Sequence, residues 1–177
     1  MIELAGVQPR DDERVAELLL AAVPDAHRLA SSVLRDPVGA EDAVQDALLR
    51  AWNRRRSIHF ELGQPQRWFM RIVLNVCRDE LRRRRRQPVA TAEPAAEHAI
   101  EAASADHEHD DLDRAIGRLT EDEQVVLGLR FGRDMTIPQI AIQAGLPEGT
   151  VKSRLHSALE HMRAELDAEH RAEEQRR

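Results

Sequence analysis

The sequence predicts an all-α protein: two small helical domains joined by a flexible acidic linker. Three observations predict it. Apolar residues recur at helical spacing along most of the 177 residues. Aromatic residues are scarce, with three Phe, two Trp and no Tyr, so cores must be assembled from Leu, Val, Ile and Ala, which suits helices. The periodicity then stops between Gln87 and about Asp111, in a stretch rich in Ala, Pro and carboxylates. Its few aliphatics cannot offset the entropy cost of ordering it. The predicted division is a first domain over 1–87, a linker over 88–111, a second domain over 112–166 and a charged tail over 167–177.

Taken in order, Val15, Leu18, Leu19 and Ala22 mark a first short helix. Pro24 fits the first turn of a second, which carries Ala26, Leu29, Ala30, Val33 and Leu34. "RDPVGA" interrupts, and Ala40, Ala43, Val44, Ala47, Leu48, Ala51 and Trp52 form the next stripe. Its opposite face carries Glu41, Asp42, Gln45, Asp46 and a stray Leu49. An acidic rim around one exposed leucine is a protein-binding patch, or Leu49 is one of the many ordinary exposed leucines. Residues 57–66 hold a Gly and a Pro and read as a loop. Trp68, Phe69, Ile72, Val73, Val76 and Leu81 mark another helix, running into five arginines at 82–86.

Beyond the linker, Leu112, Ala115, Ile116 and Leu119 give one helix, and Val125, Val126, Leu129 and Phe131 the next. "MTIPQIAIQAGLPEGTVKSRLHSALEHMR" is a compact helix–turn–helix. Thr136 can cap its first helix with Pro138 in the first turn, Ile137, Ile140 and Ala141 face inward, and Gly145 suits a left-handed helix end. In the second helix Val151, Leu155, Ala158, Leu159 and Met162 make the inward stripe. The complement is Glu148, Gly149, Lys152, Ser153 and His156, with Arg154 at the flank and Thr150 in the first turn. Such residues suit the DNA major groove, where the N-terminal part of a recognition helix reaches base edges. Residues 148–163 net only +1, so affinity for DNA alone is expected to be weak.

Net charge is −6, yet residues 1–49 carry −6, residues 50–87 carry +9, residues 88–113 carry −8 and residues 114–177 carry −1. Local fields this strong are hidden by the total. The single cysteine, Cys77, excludes an intramolecular disulfide. With no signal-like N-terminus and no long apolar run, a cytoplasmic protein is expected.

The run "GTVKSRLHSAL", with a second block in the first half, resembles the bacterial sigma factors. The match is to the small two-domain extracytoplasmic-function (ECF) group of the sigma-70 family. "DPVGAEDAVQDALLRAW" and "RWFMRIVLNVCRDELRRRRR" are similar to that group's region 2, and "LTEDEQVVLGLRF" with the helix–turn–helix to its region 4. The resemblance implies a transcription initiation factor without catalytic residues, cofactor or metal. Its implied partners are core RNA polymerase (the β′ coiled coil and the β flap), promoter DNA and an anti-sigma factor. Glu41, Asp42, Gln45, Asp46 and Leu49 would face the β′ coiled coil. Lys152, Ser153, Arg154 and His156, with Glu148 and Thr150, would read the −35 element as duplex. Arg54, Arg55, Phe60, Arg67, Arg71, Asn75, Arg78 and Arg82 would hold the melted −10 element, with Asn75 matching an asparagine the family turns toward −10 bases. The arginines with Phe60 form a cationic path with a stacking surface. Trp52 and Trp68 are stacking surfaces or core, since both continue inward stripes. The family commonly has an aromatic residue, Ser or Thr before the matching tryptophan; here Arg67 stands there. The linker is a nucleic-acid mimic or a passive tether.

Two other chemistries compete. His98, His107, His109, Asp106 and Asp110 could ligate a metal, but a metal site needs fixed geometry. A nucleophilic Cys77 lacks a histidine at a useful spacing. A stand-alone helix–turn–helix regulator would explain 112–165 and leave 40–86 without a purpose.

Overall fold

The computed structural model describes residues 9–55, 65–86 and 106–174. They form seven α-helices: α1 (Pro9–Leu34), α2 (Pro37–Asn53), α3 (Pro65–Arg86), α4 (Asp106–Arg118), α5 (Glu121–Leu127), α6 (Ile137–Ala144) and α7 (Glu148–Glu174). α5 runs on through one wide π turn at Gly128–Gly132. Helices α1–α3 form one bundle and α4–α7 a second. Among the described residues there is no strand, and no helix is long and apolar enough to cross a membrane.

Helix α1 forms because Val15, Leu19, Ala22, Ala26, Leu29, Ala30 and Val33 fall on one buried stripe. The break expected before Pro24 does not occur, and the proline lies inside the helix. There it removes one hydrogen bond and crowds the carbonyl four residues back. That residue is Leu20, which is exposed, so water can satisfy the carbonyl while tertiary packing holds the helix together. A left-handed Arg35 (φ 54°) ends α1. Asp36 then caps α2, accepting from the Val38 N–H at 3.0 Å, with Pro37 in the first turn. Buried Ala40, Ala43, Ala47 and Ala51 let α2 lie close against α1 and α3. Helix α3 begins at Pro65, inside the stretch read as loop, and buries Phe69, Ile72, Val73, Leu74, Val76 and Leu81.

Helix α4 begins at Asp106 rather than Leu112, so the last residues assigned to the linker are helical. Residues 88–105, and with them the linker's role, lie outside the described residues. Thr120 and Glu123 cap α5 reciprocally: the Thr120 hydroxyl accepts from the Glu123 N–H at 3.3 Å, and the Glu123 carboxylate from the Thr120 N–H at 2.9 Å. The π turn then shifts the register. Phe131, expected inside with Leu129, is therefore 63% exposed. In α7 the buried stripe is Val151, Leu155 and Ala158, while Leu159, also expected inside, is 47% exposed, one step round the helix from Ala158. The helix continues to Glu174 through residues expected to fray, tied to α4 by an Arg118–Glu165 ion pair.

The bundles share one apolar core. Val125, Val126, Leu129, Ile140, Ala141, Val151 and Leu155 belong to the same cluster as the buried residues of α1–α3. The π turn lies close against the end of α1. A Cβ added to Gly128 would lie 2.4 Å from the Ser32 carbonyl oxygen, and one on Gly132 2.7 Å from the Ser32 Cβ. Arg35–Asp113 and Arg133–Asp25 ion pairs also bridge the two bundles.

Candidate nucleic-acid and partner interfaces

The helix–turn–helix is built by local chemistry. Gln139 accepts from the Thr136 N–H at 2.8 Å, opening α6 with Pro138 in its first turn. Gly145, at φ 69° and ψ 39°, closes it. The Leu146 N–H returns to the Ala141 carbonyl at 2.9 Å, and Leu146 packs against the core. Burial of Val151, Leu155 and Ala158 then points Glu148, Gly149, Lys152, Ser153 and His156 to solvent. Thr150 is half-buried, and its carbonyl accepts from the Ser153 hydroxyl at 3.0 Å. Arg154 is not on this open face. It turns toward α5 and pairs with Asp122 at 2.7 Å.

The basic face of α3 differs from expectation in the same way. Arg71, Asn75, Arg78 and Arg82 share one side of the helix, but that side meets the second bundle. Arg71 Nη2 donates to the Ile142 carbonyl at 3.4 Å, at the C-terminal end of α6 where helix carbonyls lack partners. Arg78 donates to Asp122 at 3.2 Å and to the Asn75 side-chain oxygen at 3.2 Å. Arg82 and Arg85 lie 3.9 and 3.7 Å from Glu121. The rest of the arginine run is also paired in part: Arg83 and Arg84 hold Glu80, and Arg84 reaches Asp36 at 2.7 Å. The hydrogen bond from Arg83, against the opposing push of burial, keeps the Glu80 carboxyl below its usual range.

Of the remaining −10 candidates, Arg54 and Arg67 are exposed and Phe60 lies outside the described residues. Arg55 does structural work: it pairs with Asp12 at 2.8 Å, donates to the Trp52 carbonyl and stacks 4.5 Å over the Trp52 ring. Trp68 is half-buried against the core, so it acts as a packing residue.

The acidic face of α2 is open. Glu41, Asp42 and Gln45 are exposed and Leu49 is 66% exposed. Asp46 is drawn into a two-toothed pair with Arg50, at 3.1 and 2.8 Å, and Arg50 also reaches Asp79 at 2.9 Å. Leu49 does not stand alone. It lines an apolar groove of about 470 Å³ with Leu20, Leu48, Trp52, Ala16 and Leu19. Leu20 was missed from sequence, although three consecutive leucines at 18–20 force one onto the outer side of any helix.

Cys77 is buried, and burial pushes its thiol up to about 12 from 9.0, so it carries no thiolate. Among the described residues no His, Cys, Asp or Glu cluster is arranged for a metal. His98 lies outside those residues, and the other proposed ligands fall in the first turns of α4.

Comparison with known proteins follows the same division. The family model for Sigma-70 region 2 matches residues 18–87, and that for Sigma-70 region 4 matches residues 115–164. The chain is 32% identical to the ECF RNA polymerase sigma factor SigL of Mycobacterium tuberculosis, over 84% of this chain and 89% of SigL. It is also 32% identical to the RNA polymerase sigma-E factor of Streptomyces coelicolor, over 80% and 79% of the two chains. Two solved structures share the fold. One is the sigma factor RpoE of Bartonella quintana in complex with the anti-sigma factor NepR (TM-score 0.54, 23% identity, 86% of this chain and 96% of that one). The other is CnrH in complex with the cytosolic domain of CnrY (TM-score 0.53, 22% identity, 92% and 91%).

Proposed function

The chain belongs to the ECF sigma factors of the sigma-70 family, and from that premise we propose which of its surfaces does what. As a member it is a transcription initiation factor rather than an enzyme, binding core RNA polymerase and directing it to promoter DNA. The open face of α2 is the polymerase surface. Leu49 and the groove beside it take an apolar ridge of the β′ coiled coil, while Glu41, Asp42 and Gln45 form the polar rim of that contact. The second bundle meets the β flap. Lys152, Ser153 and His156, with Glu148 and Thr150, enter the major groove of the −35 element, and Arg154 joins them once released from Asp122. Arg54, Phe60, Arg67, Arg71, Asn75, Arg78 and Arg82 hold the unpaired −10 strand, combining phosphate neutralisation with stacking. An anti-sigma factor competes for these surfaces, and the protein works in the cytoplasm beside the polymerase.

The observation that carries this reading is the groove beside Leu49, an apolar surface on an otherwise acidic helix face. Two variants test it. Leu49→Asp is expected to abolish association with purified core polymerase, because a charge in an interface core is left unpaired. Lys152→Ala is expected to leave core association intact and lower transcription from the protein's own promoter about tenfold, which corresponds to ~1.4 kcal/mol, toward the low end of the range for a base contact. Equal loss of core association in both variants would show that the surfaces are misassigned.

A further inference from the structure

We propose that Arg84 is a positioning residue for polymerase docking: it belongs to the arginine run, yet it pins the first turn of α2 to α3, in a space that Gly39 keeps open. This rests on the reading of α2 as the polymerase surface. The Arg84 guanidinium reaches three helices. Its Nη2 donates to the carboxylate of Asp36, the N-cap of α2, at 2.7 Å. Its Nε donates to Glu80 of its own helix at 2.8 Å. Its Nη1 faces the Leu34 carbonyl at 3.5 Å, at the C-terminal end of α1 where helix carbonyls lack partners. A guanidinium suits this corner because its planar fork holds several donors in fixed directions. Arg82, Arg83, Arg85 and Arg86 are exposed, whereas Arg84 is half-buried.

The glycine is the second observation. A Cβ added to Gly39 would lie 2.3 Å from Arg84 Nη2 and 2.6 Å from Asp36 Oδ2. Glycine in a helix is otherwise a cost, because it loses more backbone freedom on folding than any other residue. Here the missing side chain is what leaves the ion pair its place. Burial pushes the Asp36 carboxyl up, but hydrogen bonds from the Gly39 N–H and from Arg84 prevail and lower it. Asp36 thus stays charged, capping α2 and holding Arg84 at once. Further along, Arg50 of α2 reaches Asp79 of α3 at 2.9 Å. Glu41, Asp42 and Gln45, the polar rim of the docking face, lie between these two pins. The seat of that face is therefore set from α3, the helix that carries the arginine run.

The test titrates the full-length protein, labelled with fluorescein at its N-terminus, with purified core polymerase. Anisotropy reports association and far-UV circular dichroism checks the fold. Arg84→Ala is expected to associate about tenfold more weakly, the loss when a docking-competent state falls to one time in ten. Gly39→Ala changes no charge and improves helix propensity, yet it is expected to do the same by pushing Arg84 off Asp36. Asp36→Asn is expected to join them, because asparagine still caps the helix but offers the guanidinium no charge. The Gly39→Ala/Arg84→Ala double variant should be no weaker than either single one, since both break one contact. Arg86→Ala, exposed in the same run, is expected to match the parent. A folded Arg84→Ala protein with parental affinity overturns the proposal. So does a double variant about a hundredfold weaker than the parent, which would make the two effects independent, or a loss in Arg86→Ala as large as in Arg84→Ala. Should Arg84→Ala fail to fold, parental affinity in either Gly39→Ala or Asp36→Asn overturns it. Failure of the docking reading itself would show separately, as Leu49→Asp protein that still associates with core polymerase.

Discussion

Cys77 and Glu123 show how burial sets chemistry at single positions. The Cys77 thiol is fully enclosed and pushed up to about 12. It should react with a chromogenic disulfide reagent at pH 8 only as fast as the protein unfolds; rapid stoichiometric labelling of native protein would contradict that burial. The sign of the linked stability follows. The folded-state value lies above the ordinary 9.0, so the unfolded chain releases its proton first, and stability falls as pH rises from about 9 toward 12. Glu123 runs the other way. Burial raises its carboxyl, but hydrogen bonds from the Thr120 N–H and hydroxyl and the contact with His161 at 3.0 Å prevail and lower it. Its contribution is present above the ordinary value of 4.5 and is lost as pH falls through the lowered one. Urea midpoints across pH 3–6 should fall less steeply for Glu123→Gln than for the parent; parallel curves would remove Glu123 from the account. Of these residues, the helix caps were legible in sequence at Thr136 and Gly145, where residue type alone dictates backbone geometry. The partner of Arg154 was not, since an ion pair with a residue 32 positions away leaves no local trace.

At the scale of elements, apolar periodicity carried most of the fold, because the same stripe that marks a helix also faces its core. Beyond Leu159, which lies one step off the buried stripe of α7, two places departed from it. Pro24 marks a helix boundary locally, yet α1 continues because the buried stripe from Val15 to Val33 outweighs one lost hydrogen bond. Pro24→Ala is therefore expected to stabilise the protein by about 1–3 kcal/mol, restoring a bond and removing the ring clash. A lower urea midpoint for this variant would show that the helix needs its proline. The second place is the π turn. A 3.6-residue period cannot anticipate a wider turn, so Phe131 was placed inside with Leu129 although it points outward. The α2 face was legible as an acidic helix with one misplaced leucine. Its groove was not, because Ala16, Leu19 and Leu20 of α1 supply part of the lining.

At the scale of the molecule, segmental charge singled out the arginine-rich stretch at 50–87, and two motif blocks in the correct order marked the two regions that the family models match. The closed arrangement of the bundles was not legible, since it depends on glycines meeting Ser32 and on carboxylates of α5 meeting α3. Division of labour between the bundles is the claim everything else serves. The most direct measurement is in vitro transcription with purified core polymerase on a pool of genomic fragments, with transcript 5′ ends mapped. Discrete start sites that appear only when this protein is added, and vanish with Leu49→Asp, are the expected result. A protein that fails to associate with core, yet binds one duplex tightly and specifically by itself, would contradict it.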